Sequence, residues 1–120
     1  MDTLLKLLGV SKNHRQEKAD YQAFKKRITQ LPPDYQFVFK QIERYLWEFS
    51  DYAGTNMLAA LQELLVMFED GVANQQNVFS ITGNDVGAFA NDIVREVANT
   101  WLATRQDKLN QKINHYRQQH

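Results

Sequence analysis

The chain has no cysteine. That excludes disulfides, a thiol nucleophile and any cysteine-based zinc or iron–sulfur centre, and it fits a cytoplasmic protein. Only two prolines and five glycines interrupt 120 residues, so helices with short connections are expected. No stretch approaches the ~20 apolar residues of a membrane span. The opening run, Met1 to Val10, carries Asp2 where a signal peptide has basic charge, and Lys6 divides its apolar residues. The expectation is a cytoplasmic chain with neither leader nor membrane contact.

Net charge is absent as well, with 14 Lys and Arg against 14 Asp and Glu. The charges are unevenly placed. Residues 1–33 hold seven Lys/Arg against three Asp/Glu, residues 34–96 three against ten, and residues 97–120 four against one. Basic ends thus flank an acidic middle, and folding them together neutralises the whole. A sequence pI near 6.8 lacks the basic signature of a nucleic-acid-binding domain, and no helix-turn-helix pattern is present. What the chain does have is 43% hydrophobic and 12% aromatic residues. That suits a single domain over residues 1–120, with a core that buries about two-thirds of the unfolded surface.

The hydrophobic period is helical throughout, so the fold class is all-α, with about five helices. A short one is expected within residues 1–10, closed by Gly9. Ser11 is the natural N-cap of a second, running to about Gln30, with Tyr21, Phe24, Ile28 and Leu31 on its apolar face. Pro32 ends it and Pro33 opens the next. That third helix, Asp34 to about Tyr52, places Tyr35, Val38, Phe39, Ile42, Tyr45, Leu46 and Phe49 on one face. Phe37 and Trp47 fall outside that face. A fourth helix, capped by Thr55 or Asn56, has Met57, Leu58, Leu61, Leu64, Leu65 and Phe68 as its core face and Gly71 as its C′ stop. Val72 to Ser80 reads as a loop with Asn74-Gln75-Gln76-Asn77 as its polar centre, pinned onto the core by Val78, Phe79 and Ile81. Thr82 and Asp85 have capping-box spacing, and a long last helix is expected over residues 84–118. Val86, Phe89, Ala90, Ile93, Val94, Val97 and Trp101 form its first stripe. Leu102, Leu109, Ile113 and Tyr116 form a second, roughly 100° around the helix.

Three segments carry a family resemblance. They are Leu31-Pro32-Pro33-Asp34-Tyr35, then Leu64 to Ala73 with its Phe68-Glu69-Asp70-Gly71-Val72-Ala73 core, then Ile81 to Phe89. Together they resemble the bacterial domain of unknown function 1048, over about residues 12 to 113. The resemblance implies helices wound as a superhelix, a soluble bacterial protein and no established activity. It also implies a partner to look for, since genes of this family often lie beside PadR-like transcriptional regulators. Asn74-Gln75-Gln76-Asn77 departs from the glycine or lysine expected there in relatives.

No constellation here points to catalysis, a metal or a cofactor. His14, His115 and His120 lack metal-ligand spacing. Ser11, Ser50 and Ser80 lack a nucleophile context, and no phosphate-cradling glycine loop is present. The carboxylates read as solvated helix faces. Glu69 and Asp70 stand out, because a helix C-terminus disfavours negative charge, so they are a candidate polar contact site. The candidate interaction surface is Phe37 and Trp47 with Leu102, Leu109, Ile113 and Tyr116. The last helix carries the heptad spacing of a helix–helix seam. The reading is a non-enzymatic interaction or regulatory module, with a second copy of the chain as the expected occupant of the seam. The alternative is a small-ligand binder with a pocket between helices lined by Tyr45, Trp47, Met57 and other aromatics, and a nucleic-acid accessory protein is the third and weakest reading.

Overall fold

A computed structural model describes residues 11–49 and 54–119. Five helices follow one another: α1 Ser11–Thr29, α2 Pro33–Trp47, α3 Gly54–Ala73, α4 Val78–Thr82 and α5 Val86–Gln119. Among the described residues there is no strand. The expected short helix within residues 1–10 lies outside them.

The α1–α2 corner follows from its two prolines. Pro32 sits at φ −60°, ψ 157°, and Pro33 opens α2, where its missing N–H leaves nothing unpaired. Two carbonyls at this corner are taken up by one side chain. Gln36 Nε2 donates to the Thr29 carbonyl (3.1 Å) and to the Leu31 carbonyl (2.7 Å).

The core lies where α1, α2, α3 and the first half of α5 meet. Tyr35, Val38, Phe39, Ile42 and Leu46 of α2 face Met57, Leu61, Leu64, Leu65 and Phe68 of α3, and Ala90 and Val97 close it from α5. Burying each of the larger side chains stabilises by about 1.5–3 kcal/mol. Four rings cross the core in edge contact: Phe24 to Phe39 at 6.2 Å, Phe39 to Phe68 at 5.9 Å and Phe68 to Tyr35 at 5.4 Å. The Tyr35 hydroxyl ends the row by donating to the Gln76 carbonyl at 2.8 Å.

Several expected boundaries move. Gly71 does not stop α3, which continues to Ala73. The stop is made by Gln75 at φ +58°, with the Gln76 N–H donating to the Gly71 carbonyl (2.9 Å) and the Gln75 N–H to the Val72 carbonyl (3.0 Å). This is a Schellman closure with glutamine at C′, where glycine is usual. Gly71 is glycine for a different reason. A Cβ there would run into the Ile81 side chain and come within 2.7 Å of the Tyr35 hydroxyl. α4 begins inside the segment read as a loop and is capped by Asn77, whose Oδ1 accepts from the Phe79 N–H at 2.8 Å. Val78 is buried there, but Phe79 is not. Tyr21, expected on the core face of α1, lies on the surface beside Phe24. The described part of the third helix ends at Trp47, short of Tyr52.

Thr82 is not the cap of the last helix. It is the last residue of α4, and its hydroxyl donates to the Gly83 carbonyl at 2.7 Å. Asp85 caps α5, with Oδ1 accepting from the Ala88 N–H at 3.0 Å. The turn at Gly83, φ +80°, separates the two helices and breaks the expected Thr82–Asp85 pairing.

The molecule is elongated. Its extents are 61 × 36 × 24 Å and its radius of gyration is 17.8 Å, against about 13–14 Å for a compact domain of this length. The reason is α5, whose 34 residues span about 51 Å while only its first half meets the core.

Two outcomes test this account by denaturant melting. Asp85→Ala should cost about 1 kcal/mol, as lost caps do, while Asp85→Asn retains most of the stability. Gly71→Ala should cost about 1–3 kcal/mol by overpacking, despite alanine's better helix propensity. Adding Ile81→Val, which removes the clashing methyl, should recover part of that loss. Additive costs for the pair would disprove the steric account.

Candidate interaction surface

α5 changes character near Trp101. Up to Val97 its inward stripe is covered: Ala90 and Val97 are buried, and Val86, Phe89, Ile93 and Val94 pack partly against the core. Trp101 is half-buried, with the Arg105 guanidinium over its ring at 5.2 Å. From Leu102 to Gln119 every residue is exposed. Along this tail Leu102, Leu109, Ile113 and Tyr116 are between 43% and 61% accessible. Arg105, Lys108, Lys112 and Arg117 accompany them, with Asp107 the one acid.

Phe37 and Trp47 both lie off the core face of α2 and are exposed, Phe37 to 66%. Both sets of residues that the apolar periodicity singled out are exposed among the described residues.

A groove of about 780 Å³ runs between α3 and the first half of α5. Ala59, Ala60 and Leu64 from α3 and Phe89, Ile93 and Val97 from α5 supply its apolar wall. Met67 stands exposed at its edge. Glu63, Asp92 and Glu96 give the rim an acidic cast, and its one cation, Arg95, is bound to Asp92 at 2.6 Å. This groove is not the pocket expected near Tyr45, Trp47 and Met57. Met57 is fully buried in the core, the Tyr45 hydroxyl is hydrogen-bonded to Asn91, and Trp47 faces solvent. The signal for the real groove was available. Small residues at Ala59 and Ala60 let two helices approach without filling the space between them. Asp92 and Glu96, one turn apart, put two acids on one side of α5.

Glu69 and Asp70 part company. The Glu69 carboxylate receives a two-pronged contact from Arg27, Nη2 to Oε1 at 2.6 Å and Nε to Oε2 at 2.9 Å. This ties α1 to α3 and answers the poor position of an acid near a helix C-terminus. Asp70 is exposed. The guanidinium hydrogen bond holds the Glu69 carboxyl below its ordinary range, against an opposing push from partial burial. Burial pushes the Glu43 carboxyl up, with Lys25 and Lys40 pulling it back. Among the described residues no three His, Asp or Glu side chains converge as a metal site. His115 is exposed on the tail beside Gln119.

The family model described as protein of unknown function (DUF1048) matches residues 12–114. The chain belongs to this family. A DUF1048 protein from Bacillus cereus ATCC 10987, whose crystal structure shows a left-handed superhelix fold, is 45% identical, with a TM-score of 0.56. The match covers 61% of this chain and 90% of that one. No curated protein matches. The all-helical fold and the family membership agree with what the three sequence segments implied. Membership brings no activity with it. Among the described residues no helix is long and apolar enough to cross a membrane.

The Arg27–Glu69 contact has a pH signature. A carboxylate held below its ordinary pKa stabilises the fold above the unfolded-state value, and that stability is lost as pH falls through the depressed folded value. Both side chains are more than a third exposed, 41% and 36%, so screening limits the effect to about 1 kcal/mol or less. Glu69→Gln should therefore melt below the parent at neutral pH. The two curves should converge only at pH values under the normal carboxylate range. A gap that persists unchanged into strong acid would show that charge is not its source.

Proposed function

We propose that this protein is a non-enzymatic, cytoplasmic interaction module and that the exposed half of α5 is its docking element. The observation that carries this reading is the run from Leu102 to Gln119, all exposed, with an apolar seam at heptad spacing and cations beside it. A lone helix of this length is marginal in water, and an amphipathic helix gains most of its stability from packing its apolar face. Such a tail fits a helical protein surface better than a small molecule. A second copy of the chain fits the seam, and a PadR-like regulator is the heterologous partner that family resemblance suggests.

The α3–α5 groove favours a second reading. Its volume falls in the range of small-ligand sites, and its acidic rim suits a cationic amphipathic ligand.

Leu109→Asp with Ile113→Asp tests the docking role. In light scattering the parent should exceed the 14.0 kDa of one chain and the double variant should fall to it. The core transition of the monomer should remain, because neither residue contributes to the core. A parent that runs as a monomer at high concentration, and that does not retain a co-expressed PadR-like regulator, would remove the docking role. A mixture of parent and ligand that melts higher than parent alone would move the assignment to the groove.

A further inference from the structure

The proposed docking role leaves open how two copies meet. We infer that the tails of two chains pair antiparallel, seam to seam, about a two-fold axis beside Gln111. The inference rests on the docking role and adds orientation and register to it.

The seam has the repeat of a coiled-coil strip. Leu102, Leu109 and Tyr116 recur every seven residues, and Gln106 and Ile113 follow the two leucines by four. Both inward positions of each heptad are thereby filled, with one polar residue among the apolar ones. The strip lies on a different side of α5 from the stripe that packs on the core, and every residue of it is exposed.

Charge decides the orientation. Arg105 and Lys112 flank the strip on one side, Asn110 and Arg117 on the other, and neither flank carries an acid. In parallel helices each flank faces the opposite flank of its partner. Lys112 then meets the partner's Arg117, and by symmetry this happens twice. In antiparallel helices each flank faces its own kind. Arg105 then meets the partner's Gln119, Arg117 meets the partner's Ala103, and Asn110 meets the partner's Asn110. Only Lys112 meets a like charge, its own copy across the axis.

Side-chain chemistry sets the register. With the axis beside Gln111, Leu109 packs on the partner's Ile113, and the reciprocal contact repeats it. Gln106 faces the partner's Tyr116, an aromatic residue whose hydroxyl can bond an amide. One heptad closer to the core, Arg105 would face the partner's Lys112 twice. One heptad farther out, fewer seam residues meet. The two Trp101 residues then stand about 30 Å apart along the pair at ~1.5 Å per residue, so the two cores occupy opposite ends. The overlap buries about 1,000 Å² in total, the low end of specific interfaces, and the pair dissociates on dilution.

Absence of native cysteine allows a direct test. Leu109→Cys and Ile113→Cys chains, given different tags, are mixed and oxidised. The mixed disulfide should exceed either homodisulfide. Homodisulfides in excess would mean parallel helices; they overturn the inference and leave the docking role standing. In a second arm, Lys112→Glu is mixed with the parent and each pairing is measured by sedimentation. The mixed pair should be at least twofold tighter than either self-pair, because it alone sets opposite charges across the axis. If Lys112→Glu instead pairs most tightly with itself, residue 112 faces Arg117 and the antiparallel pairing is overturned. Melting of the core is the control for folding in each variant. A parent that sediments as a monomer at high concentration also overturns the inference, and the docking role then rests on retention of the co-expressed regulator.

Discussion

Everything in this fold leans on the ring contacts that cross the core. Phe24 belongs to α1, Phe39 to α2 and Phe68 to α3, so three helices are registered by two edge-to-face contacts. Such pairs add about 0.5–1.5 kcal/mol each beyond the area they bury, and they favour particular ring angles. The fourth ring, Tyr35, converts that apolar register into a polar one. Its hydroxyl reaches the Gln76 carbonyl just beyond α3, and burial holds the hydroxyl neutral by raising its pKa. The end of α3, the turn at Gln75 and the position of α4 over Gly71 all follow from that one reach. Arg27 and Glu69 repeat the tie between α1 and α3 at the surface.

Much of this was legible in the sequence. Period alone separated the core face of α2 from Phe37 and Trp47, because apolar side chains at helical spacing must share a side. The Pro32–Pro33 corner was legible because proline leaves the backbone few options. The shift of stripe beyond Trp101 was legible for the same reason as the core face. What failed were choices between nearby caps. Thr82 and Asp85 both suit a helix start, and only the turn at Gly83 decides that Asp85 takes the role. Gly71 looked like a stop because glycine commonly is one. Its real constraint is the approach of Ile81 and Tyr35 from elsewhere in the chain, which no local rule reports. The groove was missed because it is made by two helices together, although each contributes a readable half.

The acidic middle and basic ends take on a specific meaning once the helices are placed. Arg27, from the basic first third, is spent inside the chain on Glu69. The cations of the tail lie beyond the core, while the acids at Glu63, Asp92 and Glu96 line an open groove. Charge that balances on paper is thus spatially divided within one molecule, and a neutral chain still presents a positive surface and a negative one.

The length of α5 has a consequence for cooperativity. Its first half shares the fate of the core, so its amides open only when the domain unfolds. Its second half lies outside the core and is exposed from Leu102 to Gln119, so those amides exchange through fraying. One unbroken helix therefore contains two regions of very different protection, with Trp101 at the border. Anything that covers the tail acts on the second region alone, so occupancy is recorded as slowed exchange beyond Leu102 while the domain's own unfolding free energy stays where it was.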